Sequence, residues 1–169
     1  MASLIGGKTS ARGRPLRFDW TLGFAREPAR LACAYWQSRL QGRTMPSRAD
    51  LDPRAMRAFS SHVGLIEIRK DGQPDAEYFI RLAGGAWEDV YGRMSGRYIH
   101  EFLPPEVAPR WREVFDAVRA RKAPARVTAG VSLENKAWLD CEMFVAPLGE
   151  GGEPTMLFMT FVAWSADEA

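Results

Sequence analysis

PPEVAPRWREVFDAVRARKAPARVTAGVSLE, residues 104–134, holds two periodicities back to back. In its first half Val107, Trp111, Val114, Phe115 and Val118 recur at i, i+4, i+7, i+8 and i+11, one face of an α-helix. Pro104-Pro105-Glu106 opens that helix, because proline suits a first turn whose N–H groups have no partner anyway. The stripe predicts a helix to about Lys122, with Arg119, Arg121 and Lys122 at the end where the dipole favours positive charge. In the second half Ala125, Val127, Ala129, Val131 and Leu133 alternate with Arg126, Thr128, Gly130, Ser132 and Glu134. That period of two is a strand with one buried face. A long helix with a single apolar stripe, feeding a half-buried strand, predicts an α+β domain.

Downstream, Glu134-Asn135-Lys136 reads as a turn and Trp138–Pro147 as a second strand. Leu139, Cys141, Met143 and Val145 form its apolar face. Asp140 and Glu142 lie on the other and are expected to look out to solvent. Gly149–Pro154 is a glycine-rich turn. Met156–Trp164 is nearly all apolar, so it is expected to be covered on both faces. The helices cover one side; the aromatic N-terminal helix, or a second subunit, covers the other.

Upstream, Val63–Arg69 and Glu77–Ala83 read as an antiparallel hairpin around Lys70-Asp71-Gly72-Gln73-Pro74, with Asp-Gly the strongest element. Residues 86–103 are short and irregular, with Trp87 and Tyr91 on a helix of one or two turns. Before the hairpin, Glu27-Pro28 opens an amphipathic helix with Leu31, Tyr35, Trp36 and Leu40 on its stripe, stopped by Gly42. Residues 45–53 carry two prolines and two aspartates and form a structured loop. Arg48, between Ser47 and Asp50, is expected to knit a charge-assisted cluster there. Asp52 before Pro53 reads as the cap of a short helix to Phe59. The start of the chain is rich in Gly, Ser and basic residues without periodicity. The expected organisation is a disordered arm over 1–20, a helical cap and loop over 27–60, and a core over 61–165.

Composition bounds the function. A chain of 169 residues and 19.0 kDa is one domain's worth. A hydrophobic fraction of 46% and a charged fraction of 26% exclude a wholly disordered, collagen-like or disulfide-scaffold chain. A net charge of +2 is too small for a dedicated nucleic-acid binder, and the 19 arginines against 4 lysines spread along the whole chain. Cys33 and Cys141 stand far apart with no CxxC, and two histidines complete no zinc set. No metal is expected, and both cysteines read as small buried hydrophobes in a reducing compartment. No apolar run reaches the ~18 residues of a membrane span. Leu4-Ile5 precedes Lys8, Arg12 and Arg14, the reverse of a secretory signal. A cytoplasmic protein is expected.

The order of helix, hairpin, short helices, long helix and three-strand meander, with particular residues, resembles the PAS domain family. Those residues are Leu82-Ala83-Gly84, Trp87, Val90-Tyr91-Gly92-Arg93, Ser95-Gly96-Arg97 and Glu101-Phe102-Leu103-Pro104. Tyr35-Trp36, Gly42-Arg43, the PSRADLDP block at 46–53 and Arg81-Leu82-Ala83-Gly84 are similar to a bacterial subfamily of compact, often stand-alone PAS proteins. The resemblance covers about residues 30–164. It implies a five-stranded antiparallel sheet with short helices and one long helix on one face, and an N-terminal capping helix. It also implies a small cavity inside the curl of the sheet, and a role in signal transduction as a sensory module.

Arg81, Trp87, Tyr91, Phe102, Trp111, Phe115, Val127, Val131, Met143 and Met159 are the candidate cavity residues, able to hold a small apolar ligand or simply to fill the core. Tyr35, Trp36, Arg48 and Phe161 are the interface candidates for a homodimer or a signalling protein partner. No cofactor is expected: photosensory flavin members need a cysteine before the long helix, where residues 86–103 have none, and haem members commonly place a histidine on that helix, where residues 104–122 have none. His100, four positions before it, keeps a haem sensor among the alternatives. GxSxG, GxxxxGK[ST] and HExxH are missing. A regulatory module acting through protein contact is therefore expected, not an enzyme. A small cavity enzyme of the isomerase or dehydratase kind and a haem or flavin sensor are the alternatives.

Overall fold

Both alternating stretches become strands of one curved sheet, with helices on its inner face and the N-terminal cap on its outer face. The computed structural model describes residues 15–70, 76–131 and 139–165. Along the chain lie β1 (Arg17–Asp19), α1 (Glu27–Ser38), β2 (Val63–Arg69), β3 (Glu77–Ala83), α2 (Gly85–Tyr91), β4 (Arg97–Tyr98) and α3 (Ile99–Phe102). Then follow α4 (Ala108–Arg121), β5 (Ala125–Gly130), β6 (Leu139–Glu150) and β7 (Glu153–Ser165). Every neighbouring pair is antiparallel, in the order β1-β5-β6-β7-β2-β3-β4. The expected five strands form the centre, and the short β1 and β4 extend it to seven.

Period two decides the faces. Val127, Met143, Met159 and Ile80 point inward, where α2, α3 and α4 bring Trp87, Ile99, Trp111, Phe115 and Val118 against them. Phe144, Ala146, Leu148, Phe158, Val63 and Leu65 point outward and are covered by α1 and residues 45–59. The cap therefore lies on its own sheet. The long apolar β7 is covered on both faces because it runs through both clusters. Gly64 lies on the inner face with the Trp87 indole directly against it, so any side chain there would displace that ring. At the tip of the β6–β7 hairpin Gly151 and Gly152 have φ of 63° and 78°. Two consecutive positive φ values suit a tight two-residue connection that follows the twist of the strands.

Several expectations are corrected. The arm does not reach residue 20, because Arg17–Asp19 pairs with Thr128–Arg126 of β5 and Phe18 stacks on Trp20 at 5.6 Å. The stripe of α1 is Ala29, Ala32, Cys33, Tyr35 and Trp36, while Leu31 is exposed; alanines let the helix lie close to the sheet. Residues 53–59 form successive turns rather than a helix, although Asp52 Oδ1 accepts the Arg54 N–H at 2.9 Å as a cap would. The Asp52 N–H itself donates to the Tyr35 hydroxyl at 2.7 Å. Arg48 does not knit its loop. Ser47 and Asp50 cap each other, and the guanidinium on Asp50 is that of Arg43, at 2.7 Å. Arg48 is exposed. The arm over 1–14 and the turns expected at Asp71–Pro74 and Glu134–Lys136 lie outside the described residues.

The largest correction concerns Glu142. It faces outward as expected, yet it is fully buried, because the chain entering α1 crosses over it. Its carboxylate accepts the N–H groups of Ala25 and Arg26 at 2.9 and 2.8 Å, and the Arg126 Nε–H at 2.7 Å. Asp140, one pleat away, is also buried. These are not solvated strand residues: Glu142 clasps the cap to the sheet.

Candidate functional site

The sheet curls around a cluster of aromatic rings. Trp87 meets Trp111 edge-on at 5.6 Å and Phe161 at 5.6 Å, while Tyr91 meets Trp111 at 5.2 Å and Phe161 at 5.5 Å. Phe115 packs on Trp111 at 5.9 Å and on Tyr78 at 4.9 Å. Such offset and edge-on pairs interlock and add to the gain from burial. Trp87, Tyr78 and the strand carrying Phe161 are anchored by hydrogen bonds. The Trp87 indole N–H donates to the His62 carbonyl at 2.6 Å, His62 Nδ1–H donates to the Phe161 carbonyl at 2.9 Å, and the Tyr78 hydroxyl donates to Asp116.

Of the ten cavity candidates, Trp87, Tyr91, Trp111, Phe115, Val127, Val131, Met143 and Met159 come together in this inner cluster, with Phe102 packed at its rim. Arg81 does not. Its side chain is 64% exposed and lies 3.7 Å from Glu67 Oε1 on the outer face of the sheet, because Tyr78 and Ile80 point inward and alternation turns the next residue outward. The interface candidates are corrected in the other direction. Tyr35, Trp36 and Phe161 are buried within the chain, so the surface is left with Arg48 alone of the four.

Among the described residues, the void beside these rings is about 20 Å³, bounded by Leu16, Tyr91, Arg110, Trp111, Cys141 and Met143 among others. That is room for about one water, where organic ligands commonly need roughly 300–1,000 Å³. A haem or flavin does not fit among these side chains as they stand. His100 is turned to the surface, 56% exposed and 3.3 Å from Glu77, stacked on Tyr98. Among the described residues no three His, Cys, Asp or Glu gather to hold a metal.

A hydroxyl and a thiol, of Tyr91 and Cys141, stand at the void beside Arg110. Burial pushes the Tyr91 hydroxyl well above the usual phenol range and the Cys141 thiol up to about 12. Cys33, under the cap, is pushed up to about 11 by burial. Both cysteines are free and buried. At pH 8 a thiol of that acidity is ionised to about one part in a thousand or less, and the thiolate is the nucleophile. A disulfide-exchange reagent at pH 8 should therefore label neither cysteine in the folded protein and both after denaturation. Rapid labelling of Cys141 without unfolding would contradict this. The sign of the pH dependence follows. The folded chain keeps protons that the unfolded thiols lose near pH 9, so these groups favour folding below about pH 9 and their contribution falls as pH rises towards 12.

Sequence reasoning missed the Glu142 clasp. A signal was present in Glu142 and Arg126 on facing strands, but nothing local says which segment covers them. No described helix is long and apolar enough to cross a membrane.

Among solved structures, the chain is similar to an RNA-binding Light-Oxygen-Voltage receptor, with a TM-score of 0.50 and 14% identity over 92% of this chain and 40% of that one. It also aligns with a domain described as that of a light and redox sensing histidine kinase from Haloarcula marismortui. There the TM-score is 0.42 and the identity 16%, over 68% of this chain and 98% of that one. The first likeness shows the fold, and the chain spans about two fifths of that receptor's length. No curated protein sequence matches the chain. The PAS domain family model matches residues 25–161. That match begins where the chain enters its clasp on Glu142 and ends on the strand that walls the aromatic core, taking in both layers of the fold, and the chain belongs to the PAS domain family.

Proposed function

We propose that the chain is a regulatory PAS module that signals through protein contact, with no cofactor and no catalysis of its own. The observation that carries this reading is the interior: interlocked rings leave about 20 Å³, and the hydroxyl and thiol beside it are held protonated. A cytoplasmic setting suits its two free, buried thiols. The PSRADLDP block supports placement in the compact bacterial subfamily, since its Ser47–Asp50 cap and buried Leu51 shape the loop beneath α1.

The contact surface is the half of the outer sheet face beyond α1, on β2, β3 and β4. Arg69 lies 3.7 Å over the Phe79 ring and bonds to Glu67 and to the Tyr98 hydroxyl. Beside them Arg81 is exposed, and Leu82 is 46% exposed, large for an apolar side chain. Arginine and aromatic residues around an apolar anchor are the composition of interface centres. The first partner is a second copy of the chain. Native mass spectrometry tests both parts at once. The expected mass is that of two 19.0 kDa chains with no added group, reduced to one chain by Leu82→Glu. A stoichiometric haem or flavin adduct would overturn the cofactor-free reading, and a wild-type monomer would remove the second copy as partner.

A further inference from the structure

The outer face carries a second opening, on the side of the sheet opposite the aromatic core. Because α1 begins only at Glu27, no described helix lies on the sheet beyond its first turn, and among the described residues a groove of about 530 Å³ lies there. That volume is in the range of small-molecule sites. Strand register builds it. Arg17 pairs with Thr128 across β1 and β5, and Asp140 pairs with Trp164 across β6 and β7, so these four side chains lie in adjacent rows of one face. Arg26, at the entry to α1, closes the groove from above with its guanidinium 3.8 Å over the Trp164 ring. Arg126 completes the wall.

Three guanidiniums and one carboxylate line the groove, and Glu142 beneath it is already paired with Arg126, so the balance favours an anion of single charge. Arg126 is already aimed, because Glu142 accepts its Nε–H at 2.7 Å while the rest of its fork lies 3.9 Å or more from Asp19. Arg17 is exposed and pairs with no carboxylate among the described residues. The stacked Arg26 and Trp164 form a flat wall of the kind that receives an aromatic ring. Asp140, 6% exposed, can accept a hydroxyl donor from a ligand.

We propose that this groove binds a small aromatic hydroxycarboxylate: carboxylate to Arg17 and Arg126, ring against Arg26 and Trp164, hydroxyl towards Asp140. Such a ligand touches the cap through Arg26 and the sheet through Arg126 and Trp164, so its binding fastens one layer to the other. The inference does not rest on the protein-contact reading and survives its failure.

The test is a titration of the full chain with 4-hydroxybenzoate, followed by ¹H–¹⁵N correlation spectra. Saturable shifts of the Trp164 indole N–H and the Thr128 amide are expected, with no such shifts for uncharged 4-hydroxybenzamide or for inorganic phosphate. Arg17→Gln should weaken binding about tenfold at unchanged melting temperature, as loss of a charge-assisted hydrogen bond from an exposed side chain would. Trp164→Leu should weaken it independently. The proposal is overturned if no saturable shift occurs, if the amide or phosphate binds equally well, if Arg17→Gln changes nothing, or if the shifts map to Tyr91 and Trp111 inside the core.

Discussion

Glu142→Ala should lower the stability of the protein by about 3–5 kcal/mol, the cost of removing one partner of a buried ion pair. Three donors lose their acceptor together: the Ala25 and Arg26 N–H groups and the Arg126 guanidinium, whose side chain is only 23% exposed. The loss should be local before it is global. Amides of α1 should exchange with solvent much faster than those of β6 and β7, because the clasp holds the entry of the cap while the inner aromatic cluster keeps its own contacts. Glu142→Gln keeps one acceptor oxygen but turns an amide N–H₂ towards donors, so it should fall between wild type and alanine. Denaturant unfolding and hydrogen exchange measure both. A Glu142→Ala protein with wild-type stability and a protected α1 would show that the cap is held by its apolar face alone.

Trp36→Ala should cost a further class of energy, about 3–5 kcal/mol of packing, as expected for a buried tryptophan truncated to alanine. The ring is 2% exposed, meets Phe144 edge-on at 6.4 Å and donates its indole N–H to the Pro147 carbonyl at 3.0 Å. Its removal leaves a hole between α1 and β6 and an orphaned carbonyl. Tryptophan on an amphipathic helix is often a subunit anchor, but here the expected outcome is a lower melting temperature with the native mass unchanged. A variant that keeps its melting temperature and loses its oligomeric state would return Trp36 to an interface.

What was legible in the chain depended on whether one segment carried the whole signal. The stripe from Val107 to Val118 and the alternation from Ala125 to Val131 each identify an element and its buried face without outside help, and both lie in the inner cluster as expected. The Leu16, Phe18, Trp20 alternation was an equally clean pattern, overlooked because basic and glycine-rich residues precede it; it became β1. Glu142 was misread for a different reason. Its own strand says only that it faces away from Val145 and Met143, and the cover arrives from residues more than a hundred positions earlier. Arg48 and Arg43 show the same limit at short range. Proximity in sequence favoured Arg48, but the turn after α1 brings Arg43 onto Asp50. Arg81 was placed among apolar neighbours, but Tyr78 and Ile80 hold the inward register, so alternation puts Arg81 outside, and the one-residue bulge after it turns Leu82 outward as well. The cavity residues were found because they are apolar; how little space they would leave depends on ring angles that no spacing encodes.

The clasp also sets an order of events during synthesis. Ala25 and Glu142 are 117 residues apart. At translation speeds of about 5–20 residues per second, the cap leaves the ribosome roughly 6–23 s before its landing strand is made. For that interval the small-residue and tryptophan face of α1 has no platform, since Phe144, Leu148 and Phe158 are not yet synthesised. The cap is therefore made before the strands on which it lies. Of the elements that pack on β6 and β7, the cap waits longest for them.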